Sequence, residues 1–400
     1  MGCDPIRYVV DGNYGSKGIA TPGPTFNDLI RYALRLAPDG SVVMAPSANG
    51  KSSIVRITAN GTVDAAFAAK VPPTTNFVTS IDFDSLGRIV VGDVAYQKFV
   101  IRRLLPDGHP DLSWGTNGSV DLSYPLASAF VDVAVDHADR VDLLFSEPTT
   151  TIPYEQCAVA RLDPNGKVDP SFNGGHPLTL ASPPANVGPG CMKIVVRGND
   201  GVFVAESYLG VTAISPSGVL DSSYGNGAQT YAGQTYGGIV DMVALPGDQL
   251  ALGGDNYNPS YGWRLSVSRL LANGQLDPTF GQGGIDDVGF ADLQPDCTSG
   301  VPNYDRIGWL QLTPSGNIVA VGGTCDELIV ARWLGGHLDK TLNADGREML
   351  RSDVFTPRRD LSKSLAGVVE TDGSILTFTS SQGESPLLGL IRLIGPQASH

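Results

Sequence analysis

The chain has 400 residues, of which 42% are hydrophobic, and its 49 glycines and 28 prolines favour short strands and tight turns over helices. Its net charge of −14 repels a phosphate backbone, which argues against nucleic acid as a partner. No apolar run reaches the roughly 18 residues of a membrane-crossing helix, so we expect a chain that does not span a membrane.

Taken in order, the chain predicts seven similar units. Each has an apolar strand, a Pro/Asp/Gly turn, a second strand, a variable loop, a third strand, an Asx-Gly turn and a segment of the form Val-Asp-x-x-Phe. An Asx-Gly turn between apolar strands is a strong hairpin signal. In the fifth unit we predict strands over 239–245, 249–253, 265–271 and 275–280, with a loop at 254–263. The units are predicted to begin near residues 30, 78, 131, 192, 239, 307 and 365.

The Val-Asp-x-x-Phe segment is clearest at Lys167-Val-Asp-Pro-Ser-Phe-Asn-Gly174 and has six further copies. They contain Asp11, Asp64, Asp111, Asp221, Asp277 and Asp339. Recurrence of four-stranded units at about 50-residue spacing is typical of a β-propeller. We therefore predict an all-β fold, a seven-bladed β-propeller of four-stranded antiparallel blades, with residues 1–400 as a single domain. The last unit lacks a fourth strand, so the N-terminal residues 1–15 are expected to complete it as the outer strand and close the ring.

The repeat also resembles a known family. The pattern Gly316-Asn-Ile-Val-Ala-Val-Gly322, followed by Arg-Leu-x-x-x-Gly as at 161–166 and by the segment at 167–174, is similar to the delta-60 repeat of bacterial secreted and surface proteins. The resemblance covers essentially the full chain and implies a propeller scaffold, without a common activity to transfer. The fourth unit departs from the pattern because Ile214 stands where other units carry arginine.

Two repeated features are expected to be structural. An arginine on the third strand precedes the segment aspartate by seven or eight residues in five units, and Arg392 of the last unit is expected to pair with Asp11 across the termini; a hairpin would bring the two side chains together. A six-fold feature is a poor candidate for an active site. The aromatic residue of each segment is expected to pack between blades.

The cysteines predict two disulfides. Cys157 with Cys191 and Cys297 with Cys325 would each meet on the face that carries the long loops, and Cys3 would stay unpaired. Such disulfides predict an oxidising location: secreted, periplasmic or at the cell surface. Cys3 is also a candidate for a lipid anchor, with a free cysteine as the alternative reading.

Function is expected on the long-loop face, because variable loops on a rigid frame commonly carry it. Aromatic and polar side chains there, together with polar groups of the first strands that line the channel, are the ligand-binding candidates: Tyr154, Tyr208, Tyr236, Tyr257, Tyr261, Trp263, Lys193, Asp132, Asp82 and Arg35. Tyrosines that only fasten long loops, and channel walls that only contact water, are the alternatives. The catalytic candidates are Asp241, Asp255, Asp296, Asp326 and His176.

These residues leave three hypotheses open. The first is a secreted or surface bacterial propeller that binds a glycan or a protein. The second is a polysaccharide lyase or glycoside hydrolase at the channel mouth, with Asp241 and Asp255, or Asp296 and Asp326, as its carboxylate pair. The third is a purely structural module. We expect a monomer without a cofactor or a metal.

Overall fold

The computed structural model describes residues 7–23, 33–48, 51–74, 77–95, 98–122, 129–148, 155–180, 190–206, 210–226, 229–230, 238–260, 262–293, 305–324, 327–350, 359–360, 366–381 and 388–394. These residues form a seven-bladed β-propeller with antiparallel blades and almost no helix. Apolar side chains of adjacent blades form the cores, as between blades 2 and 3 and between blades 5 and 6.

The elements follow one another in a regular order. The chain begins with β1 (Val9–Val10) and β2 (Ile19–Ala20). Blade 1 contains β3 (Leu34–Leu36), β4 (Val42–Met44), the small hairpin β5 (Ser47–Ala48) and β6 (Lys51–Ser52), and β7 (Val55–Ile57), followed by helix α1 (Ala65–Ala68). Blade 2 contains β8 (Phe77–Phe83), β9 (Ile89–Ala95), β10 (Lys98–Leu104) and β11 (Ser119–Leu122). Blade 3 contains β12 (Ala129–Val135), β13 (Val141–Pro148), β14 (Glu155–Leu162) and β15 (Leu178–Thr179), with a 3₁₀ turn at Asn173–Gly175.

The remaining blades continue the pattern. Blade 4 contains β16 (Cys191–Val196), β17 (Val202–Glu206), β18 (Gly210–Ile214) and β19 (Gln229–Thr230). Blade 5 contains β20 (Ile239–Leu245), β21 (Gln249–Asn258), β22 (Gly262–Leu270) and β23 (Ile285–Val288), followed by a 3₁₀ turn at Ala291–Leu293. Blade 6 contains β24 (Arg306–Leu312), β25 (Ile318–Thr324), β26 (Glu327–Leu334), β27 (His337–Leu338) and β28 (Arg347–Leu350). Blade 7 contains β29 (Arg359–Asp360), β30 (Gly367–Val369), β31 (Ile375–Ser381) and β32 (Leu388–Ile394), and β1 and β2 pair antiparallel with β32.

The prediction that the Val-Asp-x-x-Phe segment forms the fourth strand is wrong for blades 1 to 5, whereas the start of the segment pairs with the third strand as β27 in blade 6 and as β1 in blade 7. In blade 5 the fourth strand is β23, which follows the segment, and 275–280 contributes only the single bridge Leu270↔Leu276 before turning. The cause is visible in blade 2, where Asp111 Oδ1 accepts hydrogen bonds from the backbone N–H and the hydroxyl of Ser113 at 3.1 and 2.5 Å. An aspartate that binds its own chain two residues on favours a turn over a strand.

The arginine of the third strand connects this turn to the next blade. Arg103 Nε and NH2 each lie 2.9 Å from Asp111 Oδ2, and Arg103 NH1 donates to the carbonyl of Pro164 in blade 3 at 3.0 Å. The predicted pairing of arginine with the segment aspartate is confirmed in blades 1, 2, 5, 6 and 7, at Arg56, Arg103, Arg269, Arg332 and Arg392. The Arg103 guanidinium therefore binds both a carboxylate of its own blade and a backbone carbonyl of the next blade.

Blades 3 and 4 make this connection differently. Arg161 pairs with buried Asp142 at 2.7 Å instead of with Asp169, because Asp142 lies directly opposite it on β13. Blade 4 has isoleucine at the arginine position, and Arg197 from the end of β16 reaches the segment aspartate Asp221 at 2.8 Å instead. Blade 4 therefore also has an ion pair between an arginine and the segment aspartate, although its arginine follows the first strand instead of lying on the third.

Six of the seven segments carry an aromatic residue, which packs between blades as predicted, and the blade 6 segment carries Leu342 instead. Trp114 is fully buried, with the Arg103 guanidinium carbon 5.3 Å from its ring centre. Gly166 of blade 3 lies on the same ring, and a Cβ there would come within 2.8 Å of it. Because Gly166 also has φ of +80°, both the backbone and the close approach require glycine.

This arrangement predicts that Asp111→Ala destabilises the ring strongly, since it removes both short bonds to the buried Arg103 guanidinium and leaves Asp84, 3.7 Å away, as its remaining carboxylate. Removal of one partner of a buried ion pair costs about 3–5 kcal/mol. We therefore expect the free energy of unfolding in urea to fall by about 3 kcal/mol. Asp107→Ala is the control, because that carboxylate pairs with Lys70 on the exposed surface, and it should change stability little. Equal effects of the two substitutions would contradict the proposed connection.

Candidate ligand-binding face

The first strand of each blade is a sheet edge facing the channel, so its backbone donors need partners. In blades 2 to 6 the register between the first and second strands shifts near the long-loop end, for example between Phe130 and Asp132 and between Ile239 and Asp241. Such bulges redirect side chains. The polar channel residues follow these bulges.

Asp132 joins three blades at the channel wall. Its Oδ1 accepts from the Ser80 hydroxyl of blade 2 at 2.5 Å, and its Oδ2 accepts from the Ile194 N–H of blade 4 at 3.3 Å. Burial raises the pKa of Asp132 to about 6, although the positive charges of Arg35 and Lys193 act to lower it.

Asp241 makes the equivalent connection between blades 4, 5 and 6. Lys193 Nζ donates to its Oδ1 at 2.5 Å, and the Leu310 N–H of blade 6 donates to its Oδ2 at 2.7 Å. Asp82 accepts from the Val135 N–H at 2.8 Å in the same way. The channel side chains therefore bind neighbouring backbones and one another.

Asp241 and Asp255, the candidate carboxylate pair of blade 5, both accept hydrogen bonds from the backbone of blade 6. Asp255 lies two residues beyond Gly253, the cross-strand partner of Asp241, and its Oδ1 accepts from the Ile307 N–H at 2.9 Å. Both carboxylates thus hold the first strand of blade 6. His176 is exposed next to the 3₁₀ turn of blade 3.

The hairpin of β21 and β22 has the longest pair of second and third strands among the described blades. The segment 254–263, which was predicted to be a loop, instead continues the hairpin up to the pair Asn258↔Gly262. We refer to the described residues 254–260 and 262–263 as the blade 5 hairpin tip. Because the second and third strands of the other blades are shorter, this tip extends the sheet on the long-loop face.

An aromatic pair lies on one side of the hairpin tip. Tyr257 and Trp263 are direct cross-strand partners, with ring centres 5.3 Å apart and ring planes at 55°. Tyr257 is 37% exposed, and Trp263 is partly buried. Leu265, two residues along the same side, belongs to the core shared with blade 6, and its cross-strand partner Asp255 accepts from the Ile307 N–H, so the pair lies on the side that faces blade 6.

Polar side chains occupy the other side of the tip and its base. Asn256 Nδ2 donates to Asp287 Oδ2 of β23 at 2.7 Å. Arg347 of blade 6 contacts both Asp292 and Asp345, at 2.8 and 2.6 Å, and these bonds raise the pKa of its guanidinium. The aromatic pair and the Asn256–Asp287 pair therefore lie on opposite sides of the hairpin.

One buried acid was not identified by sequence reasoning. Glu206 ends β17 opposite Cys191, is 1% exposed, and accepts from the Thr212 hydroxyl at 2.8 Å. Burial raises its pKa to about 6. A lone glutamate at a strand end has no sequence signature, and only its burial distinguishes it.

The predicted disulfide between Cys157 and Cys191 is confirmed and joins β14 of blade 3 to β16 of blade 4. The other predicted site residues lie outside the described residues: Tyr154, Tyr208, Tyr236, Tyr261, Asp296, Asp326, Cys3, Cys297 and Cys325. Within the described ranges no three His, Cys, Asp or Glu side chains are grouped to hold a metal ion. The same part of the chain contains no helix of the length and apolarity needed to cross a bilayer.

Comparison with known proteins agrees with the propeller architecture. Residues 155–172 and 249–280 match the family described as a domain of unknown function (DUF5122) β-propeller. No curated protein matches the chain.

Solved structures with similar folds are distant. Two structures of the extracellular domain of one B. thetaiotaomicron protein, described once as a one-component and once as a hybrid two-component system, match with TM-scores of 0.48, at 10% and 11% identity. Each match covers 97% of this chain, which spans only 40% of theirs. The PQQ-bound aldose sugar dehydrogenase of Streptomyces coelicolor matches with a TM-score of 0.45 and 11% identity, over 98% of this chain and 100% of that one. At these scores the three structures do not indicate what this chain binds.

Glu206→Gln is expected to remove a pH dependence of stability. The folded pKa of about 6 lies above the ordinary value of 4.5, so the folded state binds this proton more tightly. The resulting stabilisation, about 2 kcal/mol, is fully present below pH 4.5 and is lost as pH rises through 6. The amide keeps an acceptor for Thr212 and cannot titrate. Urea unfolding from pH 4 to 8 should therefore show a flatter profile for the variant, and identical slopes would contradict the buried state of this acid.

Proposed function

We propose that this chain is an extracellular or periplasmic bacterial propeller that binds a glycan on its long-loop face, at the blade 5 hairpin tip. The observation that carries the proposal is the Tyr257–Trp263 pair, which projects on the longest described hairpin. Aromatic faces bind the C–H faces of sugars, and adjacent amide and carboxylate groups bind hydroxyls. Asp255 is the described carboxylate on the aromatic side of the tip, whereas Asn256 and Asp287 lie on its other side.

The distribution of exposed apolar groups supports this face. Among the described residues, the exposed large aromatic side chains are Phe77 and Tyr257, at 38% and 37%, and both lie at the long-loop ends of their blades. Exposed aliphatic side chains such as Leu86 and Leu112 lie on the opposite face, in the short turns and repeated segments. Aromatic exposure on one face favours recognition there.

The Cys157–Cys191 disulfide indicates an extracellular or periplasmic location. That location agrees with the delta-60 repeat resemblance to bacterial secreted and surface proteins, which we retain as part of the proposal. Polysaccharides are abundant in both compartments.

The enzyme hypothesis is weaker for the described carboxylates. Asp241 accepts hydrogen bonds on both oxygens, and Asp255 accepts from the first strand of blade 6. A general acid or base must exchange a proton with the substrate, which these bonds oppose. Binding without cleavage is therefore our conclusion, and chain scission is the alternative outcome of the test.

The test is affinity electrophoresis of the intact protein in gels containing neutral or acidic polysaccharides, with an assay for new reducing ends. We expect retardation by at least one polysaccharide without new reducing ends. Trp263→Ala should weaken that interaction roughly 30-fold, because burial of a large aromatic side chain contributes about 2 kcal/mol. Tyr257→Ala should weaken it as well.

Leu86→Ala is the matched control, since it removes an exposed apolar side chain from the opposite face and should leave retardation unchanged. Thermal unfolding of each variant checks that the fold is intact. Scission would support the enzyme hypothesis, and unchanged retardation in folded Trp263→Ala would place the site elsewhere. Absence of retardation in every gel would overturn glycan binding and favour a protein ligand.

A further inference from the structure

We infer that the blade 5 hairpin tip selects single, soluble chains of a neutral polysaccharide and discriminates against polyanionic glycans and flat crystalline surfaces. This inference rests on the proposed function and specifies its ligand class. Two independent features support it, the angle of the aromatic pair and the charge around it.

The first feature is the geometry of the aromatic pair. Tyr257 and Trp263 lie with their ring planes at 55° and their centres 5.3 Å apart. A crystalline polysaccharide presents a flat face that needs coplanar rings spaced along the chain axis. Two rings at this angle instead form a bent surface, which fits successive sugars that are rotated relative to one another, as in a twisted single chain in solution.

The second feature is the charge at this end of blades 5 and 6. The described carboxylates here are Asp255, Asp286, Asp287, Asp292, Asp305, Glu327 and Asp345, and the described guanidinium groups are Arg264, Arg306 and Arg347. Arg347 is already engaged by Asp292 and by Asp345. The exposed carboxylates Asp287 and Asp292 therefore lie in a region with excess negative charge, on a chain whose net charge is −14.

Excess negative charge acts differently on neutral and acidic glycans. Hydroxyl groups donate hydrogen bonds to carboxylates at no electrostatic cost, whereas each uronate adds a like charge. Repulsion between exposed charges is screened by salt, with a Debye length of about 10 Å at 0.1 M. The discrimination should therefore be strongest at low ionic strength.

The test uses one polymer in two charge states. A soluble neutral β-glucan or galactomannan that the protein binds is compared with the same polymer after oxidation of its C6 hydroxyls to carboxylates. At 20 mM salt we expect binding of the oxidised form to be at least tenfold weaker, and at 500 mM salt we expect most of this difference to disappear. Pull-down on crystalline cellulose and chitin should recover no more protein than a bovine serum albumin control.

Asp287→Asn tests whether the hairpin itself carries the discrimination. It removes one exposed negative charge and keeps an acceptor for Asn256, so it should improve binding of the oxidised polymer about threefold at low salt. Asp107→Asn removes the same charge from the opposite face and is the control, expected to have no effect.

The outcomes separate the inference from the proposed function. Equal or tighter binding of the oxidised polymer, or strong recovery on crystalline polymers, would overturn the inference while glycan binding stands. Equal effects of Asp287→Asn and Asp107→Asn would also overturn it, because they would attribute the discrimination to net charge alone. Absence of binding to both forms of every polymer would overturn both proposals.

Discussion

The ring depends on the contact in which one arginine binds an aspartate of its own blade and a backbone carbonyl of the next. A four-stranded blade cannot cover both of its faces, so its stability comes from packing on neighbours. Arg103 shows how specific that packing is, since its guanidinium binds Asp111 and Pro164 while Trp114 packs between the blades. Arg56 and Arg161 make the same carbonyl contact, to Pro106 and Pro216, so this contact fixes the positions of blades 1 to 4 relative to one another more closely than a purely apolar interface would.

The same requirement explains the polar channel. First strands expose backbone donors to the channel, and Asp82, Asp132 and Asp241 accept from the strand of the following blade. Carboxylates at a propeller axis suggest a catalytic or ligand site, but here they complete a sheet edge. Features that differ from the repeat are therefore better candidates for a functional site than features that every blade shares. The blade 5 hairpin tip is such a departure, because it lengthens the hairpin and carries Tyr257 and Trp263 as cross-strand partners.

Much of the fold was predictable from the sequence, because a period of about 50 residues with Asx-Gly turns is compatible with few architectures. The pairing of Arg103 with Asp111 followed from hairpin spacing. Arg161 paired with Asp142 instead, since register between strands is not contained in linear spacing. The tip at 254–263 is rich in turn-forming residues and was predicted as a loop, and pairing with the opposite strand overrode that local preference. Glu206 was missed because burial, not residue pattern, distinguishes it.

The most direct test of this account is hydrogen–deuterium exchange of the full chain with and without a soluble neutral polysaccharide that retards it. If the channel is structural and the hairpin is the site, peptides covering 254–264 should gain protection, while the first strands at 77–83, 129–135 and 191–196 should not change. Protection confined to those first strands, with an unchanged hairpin, would contradict the account and place the ligand in the channel.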